Sequence, residues 1–335
     1  MRRSLKFFVL LAFIFCGKGV ALEVLDLTVI SYDDFSRGDS IALEKLEQAL
    51  YTQGIVGIRG VPSYREKVLT LIETAREFSA LPEEVKEAYA PQSEMFLGYE
   101  RGKEKFQRPD GTWVIDDLKV SYYGLVPDRP QNKWPTELDL KGPFLELGQL
   151  MAEMGEEIML KLGMIGVSTG IYLDETPRLG RMLYYCKDRR TDYENPLWCG
   201  DHFDHSMFTA LVPAFYFENG KQVPEPPEAG LFVKVGKAFK KVIANDPEVM
   251  LFQVGEFGQL VMNDKIRATE HRVQKAAGNV ERYAMALFTD APMEAVIHST
   301  SQLTKDSRYG GVAGAPCSYR EWNDRTFERY IVRDE

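Results

Sequence analysis

Only four histidines (His202, His205, His271 and His298) and four cysteines (Cys16, Cys186, Cys199 and Cys317) occur in these 335 residues. The cysteines form no CxxC pair and no repeated spacing, which argues against a zinc knuckle and specifies no disulfide framework. Cys186 and Cys199 flank a polar loop and could bridge in an oxidising compartment, but two packed thiols are the simpler reading. No GxGxxG, P-loop, GxSxG or HExxH motif is present, which disfavours dinucleotide, nucleotide, serine-hydrolase and zinc-protease chemistry. Basic residues are in the minority, 41 Lys and Arg against 50 Asp and Glu, and the net charge of -9 argues against a nucleic-acid backbone as partner. A small anionic ligand stays possible, since a local basic pocket can oppose the global sign.

Long apolar runs are missing too. The longest candidate, Phe7 to Cys16, is too short to cross a bilayer comfortably. Arg2, Arg3 and Lys6 precede it and Gly19-Val20-Ala21 follows, the pattern of a secretory signal over residues 1–21. Bulky Phe15 before Cys16 speaks against a lipoprotein. Cleavage would remove four positive charges (Arg2, Arg3, Lys6 and Lys18), moving the net charge from -9 to -13. The mature protein would then be secreted or periplasmic; without cleavage it would be cytoplasmic or membrane-tethered.

What remains is rich in apolar residues, 44% of the chain with 12% aromatic, enough for a large packed core. Glu23 to Ile30 reads as a short strand. Ile41, Leu43, Leu46 and Leu50 recur at helical spacing across Ser40 to Gln53, where Gly54 ends the pattern. Ile55 to Ile58 reads as a strand, Ser63 to Ala80 as a helix, and Pro82-Glu-Glu as the opening of another. A long amphipathic helix is predicted over Lys141 to Met164. Beyond Arg181 the pattern turns to short β-rich runs: Arg181 to Cys186, Met207 to Val212, Gly230 to Val235, Gly258 to Met262, Ala268 to Gln274 and Arg282 to Thr289. Many short strands imply a sandwich or barrel with the N-terminal helices packed outside it. We therefore divide the mature chain into an N-terminal helical and strand region, residues 22–140, and a β-rich core, residues 141–335, that includes the long helix.

Two of the four histidines fall in a suggestive pattern. His202-Phe-Asp204 is followed much later by His271 and then by Arg282. In a strand, residues i and i+2 face the same way, so His202 and Asp204 can point into a barrel together, with His271 arriving from a neighbouring strand. Two imidazoles and one carboxylate can cap one face of an octahedral ion and leave three positions open, the arrangement of non-haem iron(II) oxygenases. Arg282 could clamp the far carboxylate of an organic co-substrate; an ion pair with Glu281 or another acid is the plainer alternative. A zinc site recruiting His205 and Cys199 is a weaker reading, because the spacing of hydrolytic zinc sites is absent.

The segments His202-Phe-Asp204-His-Ser-Met-Phe208-Thr209, Thr269-Glu-His271-Arg-Val and Glu281-Arg282-Tyr-Ala284 resemble the isopenicillin N synthase-like family of iron(II)/2-oxoglutarate oxygenases. Asn132-Lys-Trp134-Pro135, Asp116-Asp117-Leu-Lys119 and the Phe78 to Lys86 junction look like further elements of that family, so the resemblance runs from about Val24 to Tyr319. It implies a mixed α/β fold with a double-stranded β-helix, or jelly-roll, core. His202, Asp204 and His271 would bind Fe(2+), and Arg282, with the Tyr185 hydroxyl, would hold the distal carboxylate of 2-oxoglutarate. The activity implied is oxidation of a small organic substrate by dioxygen, giving hydroxylation, desaturation or ring closure with release of succinate and CO2. Phe96, Tyr99, Tyr122 and Tyr123 lie where this family often walls its pocket.

The chain departs from the family at two places. Leu183, Cys186 and Lys187 replace an Asn and two prolines around Tyr185, and Ala284 stands where a serine is common. A missing hydroxyl costs about 0.5–1.5 kcal/mol if nothing replaces it. Two alternatives therefore stay open from sequence: a secreted metal- or small-molecule-binding protein on the same scaffold, and a family oxidase that does not use 2-oxoglutarate.

Overall fold

The structure is a computed structural model that describes residues 22–91, 97–103, 105–107, 111–115, 117–174, 176–186, 197–243 and 245–327. The leader read over residues 1–21, and Phe96 and Asp116, lie outside the described residues.

Two sheets form the core. The larger runs in the order Val29–Ser31, Ile55–Arg59, Val249–Val254, Phe208–Leu211, Val280–Thr289, Arg178–Tyr185, Lys119–Val126 and Gly98–Arg101, with the hairpin Phe215–Glu218/Lys221–Val223 attached to the Val280–Thr289 strand. Its first pair is parallel and the remaining pairs are antiparallel. The smaller sheet runs Ala238–Lys241, Gly230–Val235, His271–Gln274 and Leu197–His202. Between the sheets lie two apolar groups, Leu183, Tyr185, Trp198, Tyr216, Val273 and Ala284 in one, and Ile55, Leu231, Val233 and Val242 in the other. The jelly-roll core expected from the sequence is thus present, and the helices Ser40–Thr52, Tyr64–Ala80 and Lys141–Lys161 pack on the larger sheet.

Those helices are held by periodic apolar stripes. Asp39 caps the helix Ser40–Thr52, its carboxylate accepting from the amides of Ile41 at 3.1 Å and Ala42 at 3.0 Å. The helix Tyr64–Ala80 buries Val68, Leu71, Ile72, Ala75 and Phe78. The long helix Lys141–Lys161 buries Phe144, Leu147, Met151, Met154 and Ile158, each contributing about 1.5–3 kcal/mol. Phe144 packs directly on backbone: Gly124 and Gly180 are register partners, and a Cβ on Gly180 would meet the Phe144 ring at 2.6 Å. No helix among the described residues is long and apolar enough to cross a membrane.

Several boundaries differ from the sequence reading. The Glu23 to Ile30 run yields only the strand Val29–Ser31 and one bridge from Val24 to Lys241. Gly258 to Met262, read as a strand, lies in the short helix Glu256–Val261 and its C-cap, because a run of five residues is too short to distinguish the two periods. This helix anchors the loop that carries Asp204. Glu256 N–H donates to Asp204 O at 2.8 Å and Gly255 N–H to Met207 O at 3.2 Å. Gly255 is required there, since a Cβ would stand 2.1 Å from Ser206 O. The Asn132-Lys-Trp134-Pro135 element is a clasp on the end of the strand Lys119–Val126. Asn132 pairs with both the N–H and C=O of Leu125, and Asp128 accepts from Asn132 and Trp134.

Candidate metal and co-substrate site

His202 ends the strand Leu197–His202, and His271 begins the strand His271–Gln274; the two are register partners. Asp204 lies two residues past the strand end, so it reaches the same place from a loop and not, as strand alternation implied, from the strand itself. Its backbone is fixed by the helix Glu256–Val261. The three side chains converge. One donor atom from each lies within 4.8 Å of the others, and each histidine Nε2 is 3.8 Å from Asp204 Oδ1. Cis donors on an octahedral ion at about 2.1 Å stand about 3 Å apart, so small side-chain rotations close the gap.

The neighbours orient every donor. His202 Nδ1 lies 2.8 Å from Gly200 O and His271 Nδ1 2.9 Å from Thr269 O. A carbonyl can only accept, so in the neutral rings the proton sits on Nδ1 and the Nε2 lone pair faces inward. Thr269 is itself pinned, its hydroxyl donating to Gly54 O at 2.5 Å and its amide to Val254 O at 3.1 Å. Asp204 Oδ2 accepts from Thr209 Oγ1 at 2.7 Å and Gln253 Nε2 at 2.6 Å, which leaves Oδ1 as the inward oxygen. Gln253 Nε2 also lies 3.3 Å from His271 Nε2. Burial alone would raise the Asp204 carboxyl, but His271, His202 and these two hydrogen bonds hold it below its ordinary range. Burial, and then His202, push His271 below its ordinary value. A site whose carboxylate stays ionised and whose buried imidazole stays neutral, with two N donors and one O donor, suits a divalent first-row transition metal.

Arg282 lies deep in the same interior. It is buried, paired in register with Tyr185, and its guanidinium carbon sits 4.9 Å from the centre of the Tyr185 ring. Its Nε is buried with no hydrogen-bond partner among the described residues. Tyr185 is pushed up to about 12, mainly by burial, and so stays a neutral donor. The Tyr185 ring packs on Trp198 at 5.7 Å, next to Cys199, whose sulfur is 3.8 Å from His202 Nδ1. A continuous apolar wall of Leu183, Trp198, Val273 and Ala284 therefore joins the arginine to the histidines. A buried guanidinium with an unused N–H, flanked by a tyrosine, suits an organic carboxylate. Glu281 is not its partner: that side chain accepts from Tyr184, at 2.7 Å, on the other face of the strand.

Of the pocket tyrosines expected from the sequence, Tyr99 and Tyr122 pack with Phe78 against the helices, outside the interior. Tyr123, one residue on, faces inward beneath Arg181, whose Nε donates to Ser121 Oγ at 2.9 Å. Phe208 is core, stacked on Phe252. Cys186, Cys199 and Cys317 are free thiols, and neither Cys199 nor His205 joins the three-residue cluster. Sequence reasoning missed Gln253, whose only signal is one polar residue in the apolar strand Val249–Val254, and it assigned Thr209 no role.

A family model for the non-haem dioxygenase in morphine synthesis N-terminal region matches residues 22–137, and one for the 2OG-Fe(II) oxygenase superfamily matches residues 179–291. The chain belongs to the 2OG-Fe(II) oxygenase superfamily. It is 25% identical over 260 residues to an Arabidopsis thaliana "probable 2-oxoacid dependent dioxygenase", spanning 75% of this chain and 65% of that relative's length. Its fold is similar to that of a full-length Neurospora crassa protein in complex with alpha-KG, with a TM-score of 0.68 at 22% identity over 91% of this chain and 96% of that one. A putative 2OG-Fe(II) oxygenase family protein from Caulobacter crescentus is similar with a TM-score of 0.68, 17% identity and coverage of 91% and 99%. The isopenicillin N synthase-like resemblance seen in the sequence is borne out at the level of family and fold.

Proposed function

We propose that this protein is an iron(II)- and 2-oxoglutarate-dependent oxygenase acting on a small organic molecule. The observation that carries the reading is the convergence of His202 Nε2, Asp204 Oδ1 and His271 Nε2, each aimed by a partner on its other atom. Family membership and the alpha-KG complex of the Neurospora crassa neighbour support the choice of metal and co-substrate. Iron(II) bound by these residues supplies the redox chemistry that couples dioxygen and 2-oxoglutarate to oxidation of a C–H bond, with succinate and CO2 as co-products.

The protein's own residues do the placing. His202, Asp204 and His271 would hold the ion through two imidazole nitrogens and one carboxylate oxygen. Arg282 would meet the far carboxylate with its planar fork, and Tyr185 would add an O–H from the neighbouring strand. Thr209 and Gln253 would keep the Asp204 carboxylate from turning, and the Trp198, Val273 and Leu183 wall would exclude water from the interior.

Succinate formation from 2-oxoglutarate, measured in air with iron(II)-loaded protein and a panel of small organic acids and heterocycles, tests the proposal. We expect succinate from the wild type and none from His202→Ala. Iron uptake without succinate from any mixture would overturn it and leave a metal-binding protein on this scaffold.

A further inference from the structure

The loop that carries Asp204 is held through four consecutive carbonyls. Asp204 O accepts from Glu256 N–H at 2.8 Å, His205 O from the Trp322 indole N–H at 3.1 Å, Ser206 O from Phe257 N–H at 3.2 Å and Met207 O from Gly255 N–H at 3.2 Å. Three of these donors lie at the start of the helix Glu256–Val261, and the fourth comes from the C-terminal helix Tyr319–Phe327.

A helix of six residues is too short to persist on its own, so its place is set by what grips it. The grip comes from residues 299–327. At one end the buried Arg308 guanidinium forks onto the buried Glu256 carboxylate, Nη2 donating to Oε1 at 2.6 Å and Nη1 to Oε2. Asp306 steadies the same guanidinium, accepting from Nε at 3.0 Å and from Nη2 at 3.1 Å. At the other end Ser299 Oγ donates to Leu260 O at 2.7 Å, and the amides of Thr300 and Gln302 donate to Asn263 Oδ1 at 2.7 Å and Asp264 Oδ2 at 2.8 Å. Trp322 ties the parts together: its ring lies 4.6 Å from the Arg308 guanidinium carbon and 6.3 Å from the Phe257 ring, while its N–H takes His205 O.

A buried ion pair adds little net stability over well-packed apolar side chains, whereas its planar fork fixes direction. Direction matters most for one of the three metal donors. His202 and His271 sit in paired strands, their places set by the ladder. Asp204 stands beyond the strand end, and its main chain is placed by the loop carbonyls. Thr209 and Gln253 then turn the carboxylate about an origin that the C-terminal segment has fixed.

We propose that Arg308 and Trp322 are positioning residues for Asp204, and that residues 299–327 form a brace that sets how far this carboxylate reaches toward the histidines. This rests on the metal-site reading above. Arg308 acts through Glu256, whose amide holds Asp204 O, and Trp322 acts through the next carbonyl along.

The test is cobalt(II) titration of the full-length protein, read as affinity and as the position of the visible absorption band, beside the melting temperature of the metal-free protein. Asn132→Ala, which loosens a clasp on another strand, is the control for loss of stability alone. Trp322→Phe keeps a ring and deletes the donor to His205 O; it is expected to bind cobalt(II) about three- to tenfold more weakly, with a displaced band. Arg308→Met is expected to lose about tenfold or more, and Arg308→Lys, which keeps a charge against Glu256, to recover part of that. A merely structural role would lower the melting temperature of each variant and leave affinity and band as they are in the wild type and in Asn132→Ala, and that result overturns the proposal. Wild-type affinity in Arg308→Met alone overturns the part given to Arg308; if that variant fails to fold, the Trp322→Phe titration decides. Wild-type protein that binds no cobalt(II) removes the metal-site reading itself, a failure distinguishable from the others.

Discussion

Thr209→Val tests how the candidate metal site is aimed. The substitution keeps the shape of the side chain and deletes one hydroxyl, the donor 2.7 Å from Asp204 Oδ2. Asp204 is only 8% exposed, so no bulk water takes the vacated position. A hydrogen bond to a charged group is worth about 1.5–3 kcal/mol, and at about 1.4 kcal/mol per tenfold this predicts iron(II) affinity about 10- to 100-fold lower. Gln253 keeps its own bond to the same oxygen, so the site is weakened rather than abolished. Ser206 Oγ lies 3.3 Å from Thr209 Oγ1, close enough to swing into its place, so the Ser206→Ala/Thr209→Val double variant is the control. Anaerobic competition against a chromophoric chelator reads the affinity, and circular dichroism checks the fold. Affinity within twofold of the wild type in both variants would refute the idea that Asp204 is oriented through Oδ2.

Arg282→Lys should leave metal affinity unchanged and weaken 2-oxoglutarate binding about thirtyfold, since a point charge replaces a planar fork; calorimetry of the nickel(II) protein checks it, and an unchanged constant would count against Arg282. His271 and Asp204 both titrate below their ordinary values, so the stability each contributes is present above those values and lost as pH falls through the lowered ones. The melting temperature of metal-free protein should therefore decline as pH drops below about 6.5, and a flat profile down to about pH 5 would contradict this. Asn132→Ala removes three hydrogen bonds, two of them to the backbone of Leu125, and should cost about 2–3 kcal/mol in urea unfolding while leaving iron affinity untouched.

Residues that announce themselves by type and spacing are legible in the sequence. His202, Asp204, His271 and Arg282 stand out because histidine is rare here and because two imidazoles, a carboxylate and a later arginine make a recognisable ligand set, although Asp204 reaches the site from a loop and not by strand alternation. Long helices such as Lys141–Lys161 are legible because their stripes repeat over many turns. The short helix Glu256–Val261 reads as a strand because its apolar run is too brief to show a period, although it is what fixes the Asp204 loop. Gln253 is invisible for a different reason: its meaning lies in a partner distant in sequence, Asp204, 49 positions away. Tyr122 and Tyr123 cannot both face the interior, since neighbours in a strand point to opposite faces, and only register decides which one does.

Whether His202, Asp204 and His271 share one iron is read most directly by iron-edge X-ray absorption on the anaerobic iron(II)-loaded protein. The expected spectrum has a nitrogen and oxygen shell with outer-shell scattering from two imidazoles, falling to one in His271→Ala, and no sulfur. A sulfur scatterer from Cys199, or a spectrum that His271→Ala leaves unchanged, would contradict the shared site.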